Sequence, residues 1–307
     1  MSGGRGPILL FGAAGQVGRN LMAVAQQRGI DIRGVTRAQA DITQPDAVAA
    51  VVAQAQPRLV VNAAAYTAVD RAEREPALAH AVNAIGAENV ARAAAAARAP
   101  VLHLSTDYVF DGSKDGAYVE TDALAPLGVY GATKAEGEAR LRAAHADSIV
   151  LRTAWVYGAY GSNFLKTMLR LAVSEPRLRV VADQHGCPTA TADIAEAILA
   201  VDTALNAGSA ARGVFHFAGT GVTSWHGFAE AIVACQAART GKRPPVDAIT
   251  TADYPTAARR PANSALDSGL FARTFGYRAL PWDARMREAI DALAGAGGVP
   301  STREGSS

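Results

Sequence analysis

Cysteine is almost absent from this chain. Cys187 and Cys235 are the only two in 307 residues, and they form neither a metal-ligand spacing nor a disulfide framework. Both read as small buried thiols in a reducing compartment. Charge of one sign is also scarce: 30 Lys and Arg balance 28 Asp and Glu, a formal net charge of +2. No basic run exceeds a pair such as Arg259-Arg260, which argues against nucleic acid or a membrane surface as partner. No stretch of about 18 uncharged apolar residues occurs, the length a bilayer requires. The opening "MSGGRG" has no apolar signal-peptide core, and a hydrophobic strand begins directly after Pro7. A cytoplasmic protein is the expectation. The segment "GRNLMAVAQQRG" contains no carboxylate, so nothing near the first helix invites a divalent metal.

What is present is the composition of a globular protein, with 50% hydrophobic and 19% charged residues. The length suits a large domain with a smaller one. Through the first half, short apolar runs at 7–12, 30–35, 58–63, 100–105 and 148–153 alternate with helical periodicity at 16–28, 45–55, 76–98 and 131–145. Nearly continuous apolar strands separated by helices predict an α/β fold, a Rossmann-like doubly wound parallel sheet with both faces covered. After about residue 155 the rhythm loosens. Strands are expected at 178–183 and 213–219, and helices at 191–206, 224–239 and 283–294. The division expected is a dinucleotide-binding domain over 7–155 with later returning segments, and a smaller, partly interwoven C-terminal substrate lobe over 156–292. A tail over 293–307, poor in core-forming residues, is expected to be disordered.

The first strand runs into "GAAGQVG", placing Gly12, Gly15 and Gly18 ahead of a helix. Glycines so spaced let the backbone turn tightly and bring a helix N-terminus against a pyrophosphate. A plain tight turn is the alternative, disfavoured by the strand-helix context. The second strand ends in "GVTRAQADI", where Thr36 and Arg37 stand in place of the carboxylate usual for NAD. A hydroxyl and a guanidinium suit a 2′-phosphate, so NADPH is expected, with NADH possible. Arg37 as a solvated charge is the alternative. Asp41 would meet the adenine or cap the helix near Pro45, with Ile42 beside it. After the third strand, "NAAAYTAVD" puts small residues where the loop can lie along a dinucleotide.

The stretch "VYGATKAEGE" sets Tyr130 and Lys134 at i and i+4, on one helix face. A free phenol has a pKa of about 10; a nearby ammonium favours the phenolate and is expected to lower it. Thr106, ending the fourth strand, can bond the same substrate oxygen. The alternative is a surface pair on an amphipathic helix. His185 and Cys187 in "DQHGCPT" are too isolated for a metal site. Arg259 and Arg260 suit a diphosphate or a solvated loop. His103, His216 and Trp225 read as packing residues, and His80 and Asn83 as facing solvent or a groove.

The motifs "LLFGAAGQVG", "VVNAAAYTAVDRAE", "HLSTDYVFDG", "VYGATKAEGE", "LRTAWVYG", "NFLKTMLRLA", "DQHGCPT" and "YPTAARRPANSALD" follow one another over roughly residues 7 to 290. In this order they resemble the extended short-chain dehydrogenases/reductases, and among them the dTDP-4-dehydrorhamnose reductase family. The resemblance implies reduction of the C4 ketone of dTDP-4-dehydro-β-L-rhamnose to dTDP-L-rhamnose by a monomer or homodimer. It makes Tyr130 and Lys134 the catalytic pair, with Thr106 tuning proton transfer, and Thr106, Asp107 and Trp155 substrate contacts. It assigns the cofactor to Gly15, Gln16, Val17, Ala65, Tyr66, Thr67 and Leu104, besides Tyr130 and Lys134. Where some members carry an acidic residue after the second strand, this chain has Thr36. Two rivals share the scaffold. A sugar-nucleotide dehydratase or epimerase is one, though the dehydratase's Asp-Glu pair is here Asp107-Tyr108. The other is a non-catalytic regulatory subunit resembling the methionine adenosyltransferase β-subunit, against which the retained Thr106, Tyr130 and Lys134 argue.

Overall fold

The computed structural model of the chain describes residues 6–295. Chain order begins with β1 (Ile8–Phe11), α1 (Gln16–Gln27), β2 (Ile32–Val35), α2 (Pro45–Ala55) and β3 (Leu59–Asn62). A one-turn α3 (Val69–Ala72) precedes α4 (Pro76–His80), which passes through a wider turn at Ala81–Ile85 into α5 (Gly86–Ala96). Then come β4 (Val101–Thr106), α6 (Val129–Ala144) and β5 (Ser148–Thr153). The later chain gives β6 (Val156–Tyr157), α7 (Phe164–Ser174), β7 (Leu178–Val181), β8 (His185–Gly186), β9 (Thr189–Ala190) and α8 (Thr191–Asn206). It ends in β10 (Gly213–His216), β11 (Thr223–Ser224), α9 (Trp225–Thr240), β12 (Val246–Ile249), α10 (Gly269–Phe275) and α11 (Trp282–Gly295).

Six strands form one parallel sheet in the order β10-β5-β4-β3-β1-β2. Strands β1, β3 and β5 are buried along their whole length, as their runs of Val, Ile and Leu require. One face is sealed by α1, α8 and α10, through Leu21, Ile194, Ile198 and Phe271. The other is sealed by α2 and α5, through Val48, Val52 and Val90. This is the doubly wound α/β architecture expected. The strand order reverses between β1 and β3, and there the carboxyl ends open a crevice.

A second core gathers Tyr157 from β6 with Leu165, Leu169, Phe228, Ile232 and Ile290 from α7, α9 and α11. Its strands are short two-stranded pairs, β12 with β7, β11 with β8 and β6 with β9. β10 and α8, though late in sequence, belong to the main sheet and its helical cover. Leu293 to Gly295 form the last turn of α11, and Leu293 packs on the second core, so this part of the expected tail is helical. The remainder of that tail, 296–307, lies outside the described residues. Among the described residues no helix is long and apolar enough to cross a membrane.

Candidate active site

The crevice begins at Gly12, which leaves β1 with φ +83°, a left-handed conformation open to glycine. A Cβ there would lie 2.6 Å from the backbone of Ala63 and Ala64, so the β1 and β3 turns meet with no room for a side chain. Gly15 is the N-cap of α1 and supplies no side chain to cap it, leaving the first-turn amides free for an anion.

From this helix end a cavity of about 360 Å³ runs along the ends of β3, β4 and β5. Gly15, Gln16, Val17, Ala65, Thr67, Leu104, Thr106, Asp107, Tyr130, Lys134 and Trp155 all line it. A second cavity of about 540 Å³ continues into the C-terminal lobe, between Phe164, Arg179, Gln184, Tyr254, Thr256 and Arg260. Tyr108 and Trp225 border both, making them two halves of one cleft.

Helix α6 carries Tyr130 and Lys134 in its first two turns. Its N-terminus is held by Glu73, whose carboxylate accepts the Val129 amide at 2.8 Å. A Cβ on Gly131 would lie 2.1 Å from the Tyr108 carbonyl, so this glycine lets α6 press against the turn after β4. Lys134 is fully buried; its ammonium nitrogen donates to the Leu104 carbonyl at 2.7 Å and stands 3.1 Å from His103 Nε2. Burial brings Lys134 down to about 8, with Glu138 pulling weakly the other way. Tyr130 moves opposite to the sequence expectation: burial pushes its phenol up to about 12, the Thr106 hydroxyl lowering it only in part. The ring of Tyr108 meets it edge-on at 5.6 Å.

Asp107 is 2% exposed and accepts from the Thr106 hydroxyl at 2.9 Å, while its Oδ2 has no partner. Burial raises its carboxyl to about 6, with the neighbouring Thr106 and Ser264 hydroxyls acting against it. Trp155 sits at φ +46°, unusual for a bulky residue. It is held there by a face-to-face stack on Trp225 at 3.5 Å and by Nε1 donating to Ser264 at 2.9 Å.

Several expected residues lie elsewhere. Gly12 shapes the turn behind the cavity without lining it. Thr36 is tied to Gln39, its amide and hydroxyl both donating to Oε1. Arg37 is three-quarters exposed and pairs with Asp41 at 2.9 Å. Asp41 caps the turn by accepting from the Thr43 amide and hydroxyl, chiefly the amide holding its carboxyl below the ordinary value; Gln44, not Asp41, is the N-cap of α2. The Ile42 side chain is buried against α5, and its carbonyl is taken by Asn89. Tyr66 turns its hydroxyl away to Glu75 at 2.7 Å. Arg260 lies in the second cavity, its guanidinium bridging to Asp70 across the cleft. Arg259 and His185 are exposed, and among the described residues no group of three or more His, Cys, Asp or Glu is placed to hold a metal.

Other residues take their roles only from the fold, among them Asn83, which is 1% exposed instead of facing solvent. Asn83 is buried and staples the β3 loop to α6, accepting the Tyr66 amide and donating to the Tyr66 carbonyl and the Thr133 hydroxyl. Ser105 donates to Glu138, which is paired with Arg152 at 2.6 Å under the β4–β5 ladder. Trp225, expected as packing, lines the cleft. None of these has a local spacing signal; a hydrophilic residue inside an apolar strand, such as Ser105 or Arg152, is the nearest to one.

The RmlD substrate binding domain family matches residues 6–294. The dTDP-4-dehydrorhamnose reductase of Aggregatibacter actinomycetemcomitans is 44% identical over 91% of this chain and 97% of its own. The chain belongs to the dTDP-4-dehydrorhamnose reductase family. A solved family structure from Clostridium acetobutylicum is 37% identical, superposes with a TM-score of 0.88 and covers 94% of this chain and 99% of its own. Another, from Bacillus anthracis in complex with NADP, is 34% identical with a TM-score of 0.86, over 94% and 100%.

Proposed function

We propose that the chain catalyses NADPH-dependent reduction of the C4 ketone of dTDP-4-dehydro-β-L-rhamnose to dTDP-L-rhamnose. The observation that carries this reading is the convergence of Thr106, Asp107, Tyr130 and Lys134 on the cavity that starts at the amide-rich end of α1. NADPH, when bound, supplies the hydride. The Gly12 turn and the α1 N-terminus hold its pyrophosphate, Ala65, Thr67 and Leu104 flank it, and Thr36 with Arg37 favour a 2′-phosphate over a bare ribose.

The protein's own groups handle the proton. A phenol held up to about 12 stays protonated at neutral pH and is an acid, ready to donate to the carbonyl oxygen as that oxygen gains charge. Thr106 bonds the same oxygen and fixes its distance from the phenol. Protonated Lys134, one turn on, stabilises the phenolate left behind and orients the nicotinamide ribose. Asp107 and Trp155 orient the sugar ring. The second cavity takes the nucleotide, with Arg260 exchanging Asp70 for the diphosphate. Residues 7–155 with the returning β10 then form the cofactor domain, and 156–292 mainly the sugar-nucleotide lobe.

The test is NADPH oxidation with dTDP-4-dehydrorhamnose generated in situ, with dTDP-L-rhamnose identified as product. Turnover to that product is expected. A purified chain that oxidises no NADPH with this ketone, or that retains tightly bound NAD and epimerises a sugar nucleotide, overturns the reading.

A further inference from the structure

Lys134 is bracketed by a hydrogen-bond chain that begins two strands away, and its direction is fixed at one end. The Ala64 amide can only donate, and it does so to Asn62 Oδ1 at 3.1 Å. That sets the Asn62 amide the other way round, its Nδ2 donating to His103 Nδ1 at 3.1 Å. A neutral imidazole accepting at Nδ1 carries its proton on Nε2, and Nε2 is the atom 3.1 Å from the Lys134 nitrogen. The imidazole is neutral because it is 1% exposed beside a lysine, and burial drives its pKa well below the ordinary value. A donor therefore points at a nitrogen that, as an ammonium, has only donors to offer. As an amine the nitrogen has a lone pair for Nε2–H, a proton for the Leu104 carbonyl at 2.7 Å, and a second proton free for the cleft.

We infer that Asn62 and His103 are positioning residues for Lys134, fixing the Nε2–H tautomer so that the ammonium is disfavoured relative to that of an unconstrained lysine and is lost sooner as pH rises. Resting on the reductase reading above, this makes turnover sensitive to pH near neutrality, where an unconstrained lysine titrates at about 10.4. The other charged or titratable groups around Lys134 do not replace this effect. Glu138, on the same helix, is neutralised by Arg152 from β5 and bonded by Ser105. Tyr130 titrates at about 12, above this range, and Asp107, just after β4, at about 6, so it shapes the acid limb and not the alkaline one. Tyr108, in the turn that follows, is pushed above the ordinary phenol range by burial. From β3 only the uncharged Asn62 reaches the imidazole.

Asn62→Asp keeps the shape while turning the Nδ1-facing donor into an acceptor, so the imidazole proton moves to Nδ1 and Nε2 accepts from an ammonium. Asn62→Leu removes the donor without adding charge. The alkaline limb of kcat/KM for ketone reduction is expected to move up by about one pH unit in the aspartate variant, the size of one unmade buried hydrogen bond. A smaller shift in the same direction is expected in the leucine variant. The tautomer is read directly, without any variant, from the ¹⁵N shifts of His103 in cofactor-free wild type, with the Nε2–H form expected. A proton on Nδ1 in wild type, or an alkaline limb unmoved in both variants, overturns the inference. Absence of ketone reduction by wild type would instead defeat the functional reading, and the imidazole measurement still decides this one.

Discussion

The two ends of the cleft follow opposite plans. Where β4 meets α6, Thr106, Asp107 and Lys134 are buried and almost every polar atom has a partner within the chain. At the end of β2, Thr36, Arg37 and Asp41 bond mainly to one another and to near neighbours, and Arg37 stands in solvent. A buried, directional network fixes side chains before any ligand arrives and loses heavily when one member is removed. An exposed cluster costs little to form and rearranges cheaply. On the function proposed above, the chemistry depends on the first region, and cofactor choice on the second.

The comparison is tested most severely at Tyr130. Tyr130→Phe removes the proposed proton donor while leaving the ring in contact with Tyr108, so kcat is expected to fall about 10²- to 10⁴-fold. Cofactor affinity, measured by fluorescence titration with NADPH, is expected to change little. A variant retaining wild-type turnover rejects the phenol as the acid.

Glu138→Gln is the next largest. The carboxylate lies 4% exposed against Arg152, gripping it through Nε and Nη2, and its removal leaves a buried guanidinium with only His216 and weaker contacts. Breaking a buried pair from one side costs about 3–5 kcal/mol, to be read as a lower denaturation midpoint in urea. A loss below about 1 kcal/mol would show the floor of the site to be no more constrained than a surface.

Much of the first region's framework was legible because its signal is local. The β1–α1 glycines, the five apolar runs and the i, i+4 spacing of Tyr130 and Lys134 each lie within one or two elements. The expected strands and helices of residues 7–155 accordingly fall within a few residues of those observed. What closes the site is not local. Asn83 reaches Thr133 across 50 residues and Trp155 reaches Ser264 across 109; no periodicity encodes such partners. In the C-terminal lobe β6, β8, β9 and β11 have two residues each, and β12 follows "GKRPP", which reads as loop. Helix α7 was visible only as the motif "NFLKTMLRLA". The direction of the Tyr130 shift was misread for the same reason: a lysine one helical turn on is visible in sequence, and the burial that raises the phenol is not.

Asp107 sharpens the contrast through pH. Its folded carboxyl titrates at about 6 against an ordinary 3.8, so between these values the folded chain holds a proton that the unfolded chain has released. Stability therefore falls as pH rises from about 4 through 6, and the ionised carboxylate costs about 3 kcal/mol at neutrality. Asp107→Asn is expected to raise Tm at pH 7, to flatten the pH dependence of melting, and to raise KM for the sugar nucleotide. A variant less stable than wild type at pH 7 means that the carboxylate has a compensating partner.

The smallest effect belongs to the exposed end. Arg37 is paired with Asp41 on a solvated rim, so its truncation to alanine leaves the free energy of unfolding within about 0.5 kcal/mol of wild type. A guanidinium on a 2′-phosphate at such an exposed position contributes about 1 kcal/mol, and less as salt rises. The ratio of KM values for NADH and NADPH is therefore expected to fall by roughly fivefold in Arg37→Ala, with kcat unchanged for both. Loss of the preference at high ionic strength in wild type, but not in the variant, would assign it to this charge. If the ratio stays fixed in the variant, selection rests on Thr36 and the backbone of the β2 turn, and the rim is as preorganised as the floor.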